Sequence, residues 1–399
     1  MHSFSEYRLS DNLNKSLSDL RFNEPTEIQS KTIPLGIEGS DILASAETGS
    51  GKTASYLIPL INKISKGEKI SGLILTPTRE LAQQVSDVCK SLLGYKSKIN
   101  LALIVGGASM QNQLVQLNKR PKIIIGTPGR INDLIEKRSL ILRYFNYFVL
   151  DEADRMLDMG FQDQVEKIIQ YLPLKRQSLL FSATLPKEII KLSSKYLKNP
   201  VRVNVKENRV IKTQIKQKIL NTKTELKYDQ LVDEISLRKG SILIFVRTKY
   251  STEKLKKRLY KDTVKSLALH GDLRQNKRSR ILKDFRDDKF RILIATDIAS
   301  RGLDVPHIEH VINYDLPQVP EDFIHRIGRT ARAGSVGEAL SFVTPNDKRM
   351  WKSIEKLMEN IKNPDDNKQV KKTVDKEYKK RNRSRKRNSK SRKYYQRSR

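Results

Sequence analysis

From about residue 40 to residue 345, short apolar runs alternate with stretches of helical period, and no other feature restricts the fold as strongly. Runs such as Ile123-Ile124-Ile125 and Phe148-Val149-Leu150 carry no polar alternation. A strand with one wet face would alternate, so continuous runs predict parallel strands covered by helices on both faces. In the first half the predicted strands are Asp41–Ala44, Gly72–Thr76, Leu101–Val105, Lys122–Ile125, Tyr147–Leu150 and Ser178–Phe181. The series restarts with Ile242–Val246, Ser266–Leu269, Arg291–Ala295, His310–Tyr314 and Leu340–Val343. Two successive series predict two doubly wound α/β domains side by side, over residues 1–204 and 214–358. Between them, residues 205–213 are polar and weakly periodic and read as a linker.

Residues 363–399 hold 16 Lys+Arg against 4 Asp+Glu and show no aliphatic pattern. Such a segment cannot bury enough apolar surface to offset its ordering entropy, so residues 359–399 are expected to form a disordered basic tail. Residues 363–399 supply +12 of the formal +33, which leaves +21 on the rest of the chain. That excess calls for a polyanionic partner, nucleic acid first and an anionic membrane surface second. No run approaches the ~20 apolar residues of a spanning helix and no secretory signal is visible, so a soluble cytoplasmic protein with no membrane role is expected. The one cysteine, Cys89, excludes an intrachain disulfide and fits a reducing compartment. Its helical setting suits a small buried hydrophobe better than a nucleophile.

Ala46-Glu47-Thr48-Gly49-Ser50-Gly51-Lys52-Thr53 follows a predicted strand and opens an apolar helical stretch. Strand, glycine loop and helix N-terminus together make a phosphate cradle, in which backbone N–H groups over Thr48, Gly49, Ser50 and Gly51 and the helix dipole face the anion. Lys52 would reach the β- and γ-phosphates of ATP, and the Thr53 hydroxyl would hold Mg2+. Ala46 replaces the first glycine of the generic pattern, and Glu47 is expected to point outward. About a hundred residues on, an apolar strand ends in Asp151-Glu152-Ala153-Asp154. This places carboxylates at the C-terminal edge of a parallel sheet, where ligands bind in open α/β folds. Asp151 would coordinate Mg2+, generally through water, and Glu152 would orient and deprotonate the attacking water. Two acids after a strand can also cap a helix; the lysine loop upstream tips the reading toward an ATPase.

Asp151-Glu152-Ala153-Asp154 is the signature of the DEAD-box RNA helicases, and the chain resembles that family from residue 4 to about 350 with its motifs in order. The short N-terminus and basic tail look most like the bacterial RhlE-type branch. The resemblance implies two tandem RecA-like domains, and RNA-stimulated ATP hydrolysis coupled to local duplex unwinding or ribonucleoprotein remodelling. The stretch Phe22-Asn23-Glu24-Pro25-Thr26-Glu27-Ile28-Gln29 resembles the family's adenine-reading motif. By that resemblance Gln29 pairs with the adenine edge, Phe22 packs on the base and Phe4 is the distant upstream aromatic. An amide both donates and accepts, as adenine's N6/N7 edge requires. Arg21 stands where the family usually has glycine.

Three loops resemble the family's RNA-backbone contacts: Pro77-Thr78-Arg79, Gly106-Gly107, and Thr127-Pro128-Gly129-Arg130. They offer N–H groups, hydroxyls and guanidiniums, which phosphates accept. The resemblance adds Thr296 as an RNA contact, and Gln275 and Arg278 as RNA and interdomain contacts. It makes Ser182 and Thr184 couplers of ATP state to duplex opening, with His325 linking the domains through Asp154. It places Gly302 and Asp304 at the nucleotide, and makes Arg326 and Arg329 of His325-Arg326-Ile327-Gly328-Arg329-Thr330-Ala331-Arg332 arginine fingers. The expected partner is RNA, bound by its backbone without sequence preference. A monomer is expected, and complexes of ribosome assembly or RNA decay are candidate associates. An RNA annealer that uses ATP as a clamp, and a DNA helicase, are rival readings that charge alone does not separate.

Overall fold

The computed structural model describes residues 3–46, 49–95, 97–205, 215–300, 308–331 and 336–362. In the first sheet the strands are β1 (Ile42–Ser45), β2 (Gly72–Leu75), β3 (Leu101–Ile104), β4 (Ile123–Gly126), β5 (Tyr147–Leu150), β6 (Gln177–Ser182) and β7 (Val201–Asn204). They are all parallel, in the order β3-β4-β2-β5-β6-β1-β7. The second sheet contains β8 (Ile215–Asn221), β9 (Ile242–Phe245), β10 (Leu267–Leu269), β11 (Ile292–Ala295), β12 (His310–Asn313) and β13 (Gly337–Val343). Its order is β10-β11-β9-β12-β13-β8, again parallel throughout.

Both faces of each sheet are covered, which is why the central strands are apolar at every position. In the first sheet Ile74, Ile123, Ile125, Val149 and Phe181 enter one core, and Leu73, Leu75, Ile124, Phe148 and Leu180 enter the other. In the second, Ile242, Ile244 and Ile294 face one side and Leu243, Phe245 and Leu293 the other. Strands β7 and β8 were not anticipated. Both are sheet edges, and most of their residues are exposed. An edge strand pairs on one side only and carries polar residues, so its sequence lacks the buried-strand signature.

The final helix, Lys348–Lys362, packs Trp351 and Ile354 against Leu316, Phe323 and Val343. It runs past residue 358, after which the tail was expected to begin. Residues 206–213 of the expected linker, residue 214 and the tail from 363 lie outside the described residues.

The helix Asp11–Asp19 ends in a Schellman turn: Phe22 N–H donates to Leu17 C=O and Arg21 N–H to Ser18 C=O, both at 2.9 Å. Arg21 occupies its left-handed position at φ 56°, the place glycine normally takes. The turn also delivers Phe22 to the nucleotide side of the domain. An L-residue in this region costs about 1–2 kcal/mol, partly offset by the entropy glycine loses on folding. Arg21→Gly is therefore expected to stabilise the protein by about 0.5–1 kcal/mol, read as a rise in Tm of about 2 °C.

Candidate nucleotide and RNA site

The phosphate loop leaves β1 and turns into the helix Lys52–Ser65, with Gly49 at φ 88° and Gly51 at φ 95°. These angles need glycine, and a Cβ on Gly51 would also strike Gln29 and Thr26. The Lys52 ammonium donates to Ala46 C=O at 2.6 Å, closing the loop across its base. Thr26 and Gln29 brace the loop from outside: Thr26 Oγ1 donates to Ser50 C=O (2.8 Å) and Gln29 Nε2 to Gly51 C=O (3.1 Å). Gln29 Oε1 accepts from Thr26 N–H at 3.0 Å, so the pair is also a capping box for the helix Glu27–Glu38. One Gln29 N–H and one oxygen lone pair remain for a base edge. Phe22 stacks on Phe4 with ring centroids 6.4 Å apart, so the aromatic that is distant in sequence is adjacent in space. Glu47 and Thr48 lie outside the described residues.

Asp151 at the end of β5 is 2% exposed. Tyr56 Oη donates to its Oδ2 at 2.7 Å, while Oδ1 is buried without a hydrogen-bond partner among the described residues. Burial, reinforced by Glu152 next to it, pushes the carboxyl up to about 6, against the pull of Lys52 and Tyr56. An orphaned carboxylate oxygen beside a lysine and the Thr53-bearing helix is a donor set that fits a hard divalent cation such as Mg2+. Glu152 sits in the left-handed region at φ 54° as N-cap of the helix Ala153–Asp158. Arg155 Nη1 donates to Glu152 Oε2, and both residues are 6% exposed. Arg155 was not anticipated; its spacing of three from Glu152 on a helix is the available signal.

Asp154 Oδ2 accepts from the N–H groups of Ala183 and Thr184, each at 3.0 Å, and from Thr184 Oγ1 at 3.2 Å. Ser182 Oγ donates to Thr184 C=O at 2.6 Å. The loop after β6 is thus tied to the acid loop after β5. The expected Asp154–His325 link is corrected: His325 lies 3.7 Å from Asp322 on its own helix, and Asp154 is occupied within its own domain.

The loops expected to meet RNA follow β2, β3 and β4, which are neighbours in the sheet. Thr78 caps the helix Arg79–Leu93 by accepting from Leu81 N–H at 3.3 Å, with Pro77 just before it. The Arg79 guanidinium lies against Gly106 and Gly107, where a Cβ at Gly107 would collide with it. Thr127 is buried, and Pro128-Gly129-Arg130 opens the helix Pro128–Glu136, with Arg130 donating to Ala108 C=O at 3.3 Å. Burial lowers the pKa of Arg79, and the nearby Arg278 and Arg130 charges add to this while Glu80 opposes it. The Arg79 and Arg130 guanidiniums repel one another until a polyanion neutralises them. Thr296 follows β11 and is buried.

Arg278 crosses to the first domain. Its Nε donates to Glu80 Oε1 at 2.6 Å, its Nη1 to His270 C=O at 2.8 Å and its Nη2 to Ala299 C=O at 3.4 Å. Gln275 Nε2 reaches the same Glu80 oxygen at 3.5 Å. Gln275 and Arg278 were expected as RNA and interdomain contacts; the structure places both on Glu80 as an interdomain tie, with the acceptors of Arg278 all protein. In Arg278→Ala the closed arrangement would bury Glu80 unpaired, at a cost of about 3 kcal/mol. The open arrangement would return Glu80 to water at no such cost. The closed population is expected to fall about 10²-fold, read by fluorescence transfer between labels on the two domains. The Glu80→Ala, Arg278→Ala double variant should lose less than the sum of the singles.

Arg326 requires a second correction. Its guanidinium is 2% exposed, paired bidentately with Asp297 at 2.6 and 2.7 Å, and donates to Asn313 Oδ1 at 3.2 Å and Asp315 C=O at 2.5 Å. It also lies 4.8 Å over the Phe245 ring. These contacts occupy all three nitrogens, so in this structure Arg326 is an internal strut of the second domain and does not face the nucleotide as a finger would. Arg329, one turn on, is also buried. Gly302, Asp304 and Arg332 lie outside the described residues.

Residues 26–192 match the DEAD/DEAH box helicase family and residues 226–334 the helicase conserved C-terminal domain. The chain is 41% identical over 357 residues to the ATP-dependent RNA helicase CshA of Listeria monocytogenes, covering 89% of this chain and 68% of that one. It superposes on S. cerevisiae Dbp5 bound to RNA and ADP BeF3 with a TM-score of 0.80 at 34% identity, over 89% of this chain and 93% of that one. Against a Dbp5 variant bound to nup159, gle1, ip6 and adp the TM-score is 0.59, at 32% identity and over 88% and 93% of the two chains. The chain belongs to the DEAD-box family: it is an ATP-dependent RNA helicase built from two RecA-like domains. Its domain arrangement resembles the RNA-bound Dbp5 more than the other.

Proposed function

We propose that this helicase opens short RNA duplexes or remodels ribonucleoproteins by closing its two domains around ATP and a single RNA strand. The observation that carries this reading is the division of the first sheet's C-terminal edge. Loops after β1, β5 and β6 gather the phosphate loop, the acids and Ser182-Ala183-Thr184 on one half. Loops after β2, β3 and β4 gather Arg79, Gly106, Gly107 and Arg130 on the other. The Glu80–Arg278 tie ends the RNA half against the second domain.

In this mechanism Phe22 and Gln29 hold the adenine, and the Gly49–Thr53 loop and Lys52 cradle the phosphates, with Gly302 and Asp304 at the nucleotide from the second domain. Asp151 and Thr53 would hold Mg2+, which when bound neutralises charge on the β- and γ-phosphate oxygens. Glu152 takes the proton of the attacking water, its carboxylate oriented by Arg155. Arg329 supplies the finger, a role worth about 10³–10⁵ in rate in related phosphoryl-transfer enzymes; Arg326 fixes the strand ends beside it. ATP and RNA each favour closure, so each strengthens the other's binding. Asp154, Ser182 and Thr184 pass the state of the nucleotide site to the loop after β6, with His325 joining only on rearrangement. The tail adds affinity for RNA through counterion release.

The relatives reported above do not specifically support a RhlE-type branch, and a CshA-like placement fits their identity better. A cytoplasmic monomer acting with ribosome-assembly or RNA-decay complexes is the working assignment. The test is steady-state ATPase with single-stranded RNA, with DNA of equal sequence, and with neither, alongside unwinding of short and long duplexes. RNA-specific stimulation and loss of unwinding with duplex length support the reading. Equal rates with and without RNA overturn the closure mechanism, and equal stimulation by DNA overturns the RNA specificity.

A further inference from the structure

One buried hydroxyl in the nucleotide half is not explained by packing. Tyr56 lies on the Lys52–Ser65 helix, three residues after Thr53, and is wholly buried. Its ring packs on Phe181 of β6 with centroids 5.3 Å apart, and its carbonyl accepts from Tyr147 Oη of β5 at 2.9 Å. Phenylalanine would fill this volume equally well. A phenol here must find a partner or lose hydrogen-bonding free energy. The partner is Asp151 Oδ2 at 2.7 Å. Tyr56 therefore touches Asp151, lies one turn along the helix from Thr53, the other residue assigned above to the divalent cation, and leaves Asp151 Oδ1 its lone pairs.

We infer that Tyr56 is a positioning residue for the cation site: its hydroxyl fixes the Asp151 carboxylate so that Oδ1 is left for Mg2+ and its waters. This rests on the assignment of Asp151 and Thr53 to the cation. It acts through another group, so its signature is a change in what magnesium contributes to nucleotide binding and not in binding as such. Without the hydroxyl, Asp151 loses the hydrogen bond to its Oδ2 and can rotate about χ1 and χ2, placing either oxygen poorly. Orienting outer partners of this kind govern metal affinity elsewhere.

The measurement is titration of the full chain with a fluorescent ADP analogue, once with magnesium and once with EDTA, for the parent, Tyr56→Phe, Asp151→Asn and the double variant. Tyr56→Phe preserves the ring, and its thermal unfolding is recorded in parallel. The factor by which magnesium tightens binding is expected to fall about tenfold in Tyr56→Phe, with affinity in EDTA unchanged. In the Asp151→Asn background, Tyr56→Phe should change the magnesium factor no further. An unchanged factor, or equal weakening with and without magnesium, overturns the inference while leaving the nucleotide site intact. Absence of a magnesium effect in the parent itself overturns the cation assignment and the inference with it.

Discussion

Replacing Glu152 by Gln is expected to lower RNA-stimulated ATP turnover about 10³-fold while leaving ATP and RNA binding nearly unchanged. The magnitude is that of removing a positioned general base. Glutamine keeps the shape but cannot take a proton from water. The residue's setting argues for a role beyond packing. It is held in the left-handed region, at φ 54°, beside the buried Asp151 and paired with buried Arg155. A non-glycine residue in such a conformation stores strain of about 1–3 kcal/mol, which persists where the surroundings over-determine it. Single-turnover rates and equilibrium RNA binding in the presence of a non-hydrolysable ATP analogue separate the two effects. Turnover within about threefold of the parent would remove Glu152 from the base role. Weakened ATP binding at unchanged turnover would make it a structural cap.

Arg326→Ala is expected to destabilise the second domain by about 3 kcal/mol, the cost of removing a buried guanidinium from its ion pair and hydrogen bonds. The guanidinium connects four elements: the segment after β11 through Asp297, β12 through Asn313, the turn beyond it through Asp315 C=O, and β9 through the Phe245 ring. Its removal takes the bidentate pair from Asp297 and opens a cavity. Lysine cannot reproduce the bidentate geometry and should recover little of the loss. The measurement is denaturant unfolding of the full chain, following the second domain through Trp351, the one tryptophan, on the helix packed against Phe323. If Arg326→Ala unfolded like the parent yet lost ATPase, the finger role would be restored to Arg326.

Much of the site was legible because its chemistry is local. A glycine loop needs its lysine and hydroxyl within a few residues, and the acids sit together at one strand end. Even Arg21 carried a readable message, since a residue where glycine is usual marks a left-handed position. What was less legible has another cause. Arg326 looks in sequence like a surface cation awaiting an anion, and the interdomain contact expected of Arg278 came without its partner. Their acceptors, Asp297, Asn313, Glu80 and backbone carbonyls, come from elsewhere in the chain, up to 198 residues away for the Glu80 pair. A guanidinium in sequence does not say which acceptors the fold brings to it. Tyr56 was hidden for the same reason: a tyrosine in an apolar helix reads as core until β5 places Asp151 against it. The edge strands β7 and β8 escaped because periodicity reports burial, and they have little.

The order of amino acids alone establishes two parallel α/β units, a phosphate loop and a paired-acid loop in the first of them, and a preference for a polyanion. Apolar period, glycine placement and net charge are one-dimensional properties that physical chemistry converts directly into strands, loops and electrostatic preference. Which loops share a half-site is settled in three dimensions. Strand order is set by crossovers, and it places β3-β4-β2 on one side of β5-β6-β1 although the chain visits them interleaved. Packing between distant segments likewise selects which charges are spent internally, because a buried ion is stable only where neighbours from the rest of the fold replace its water.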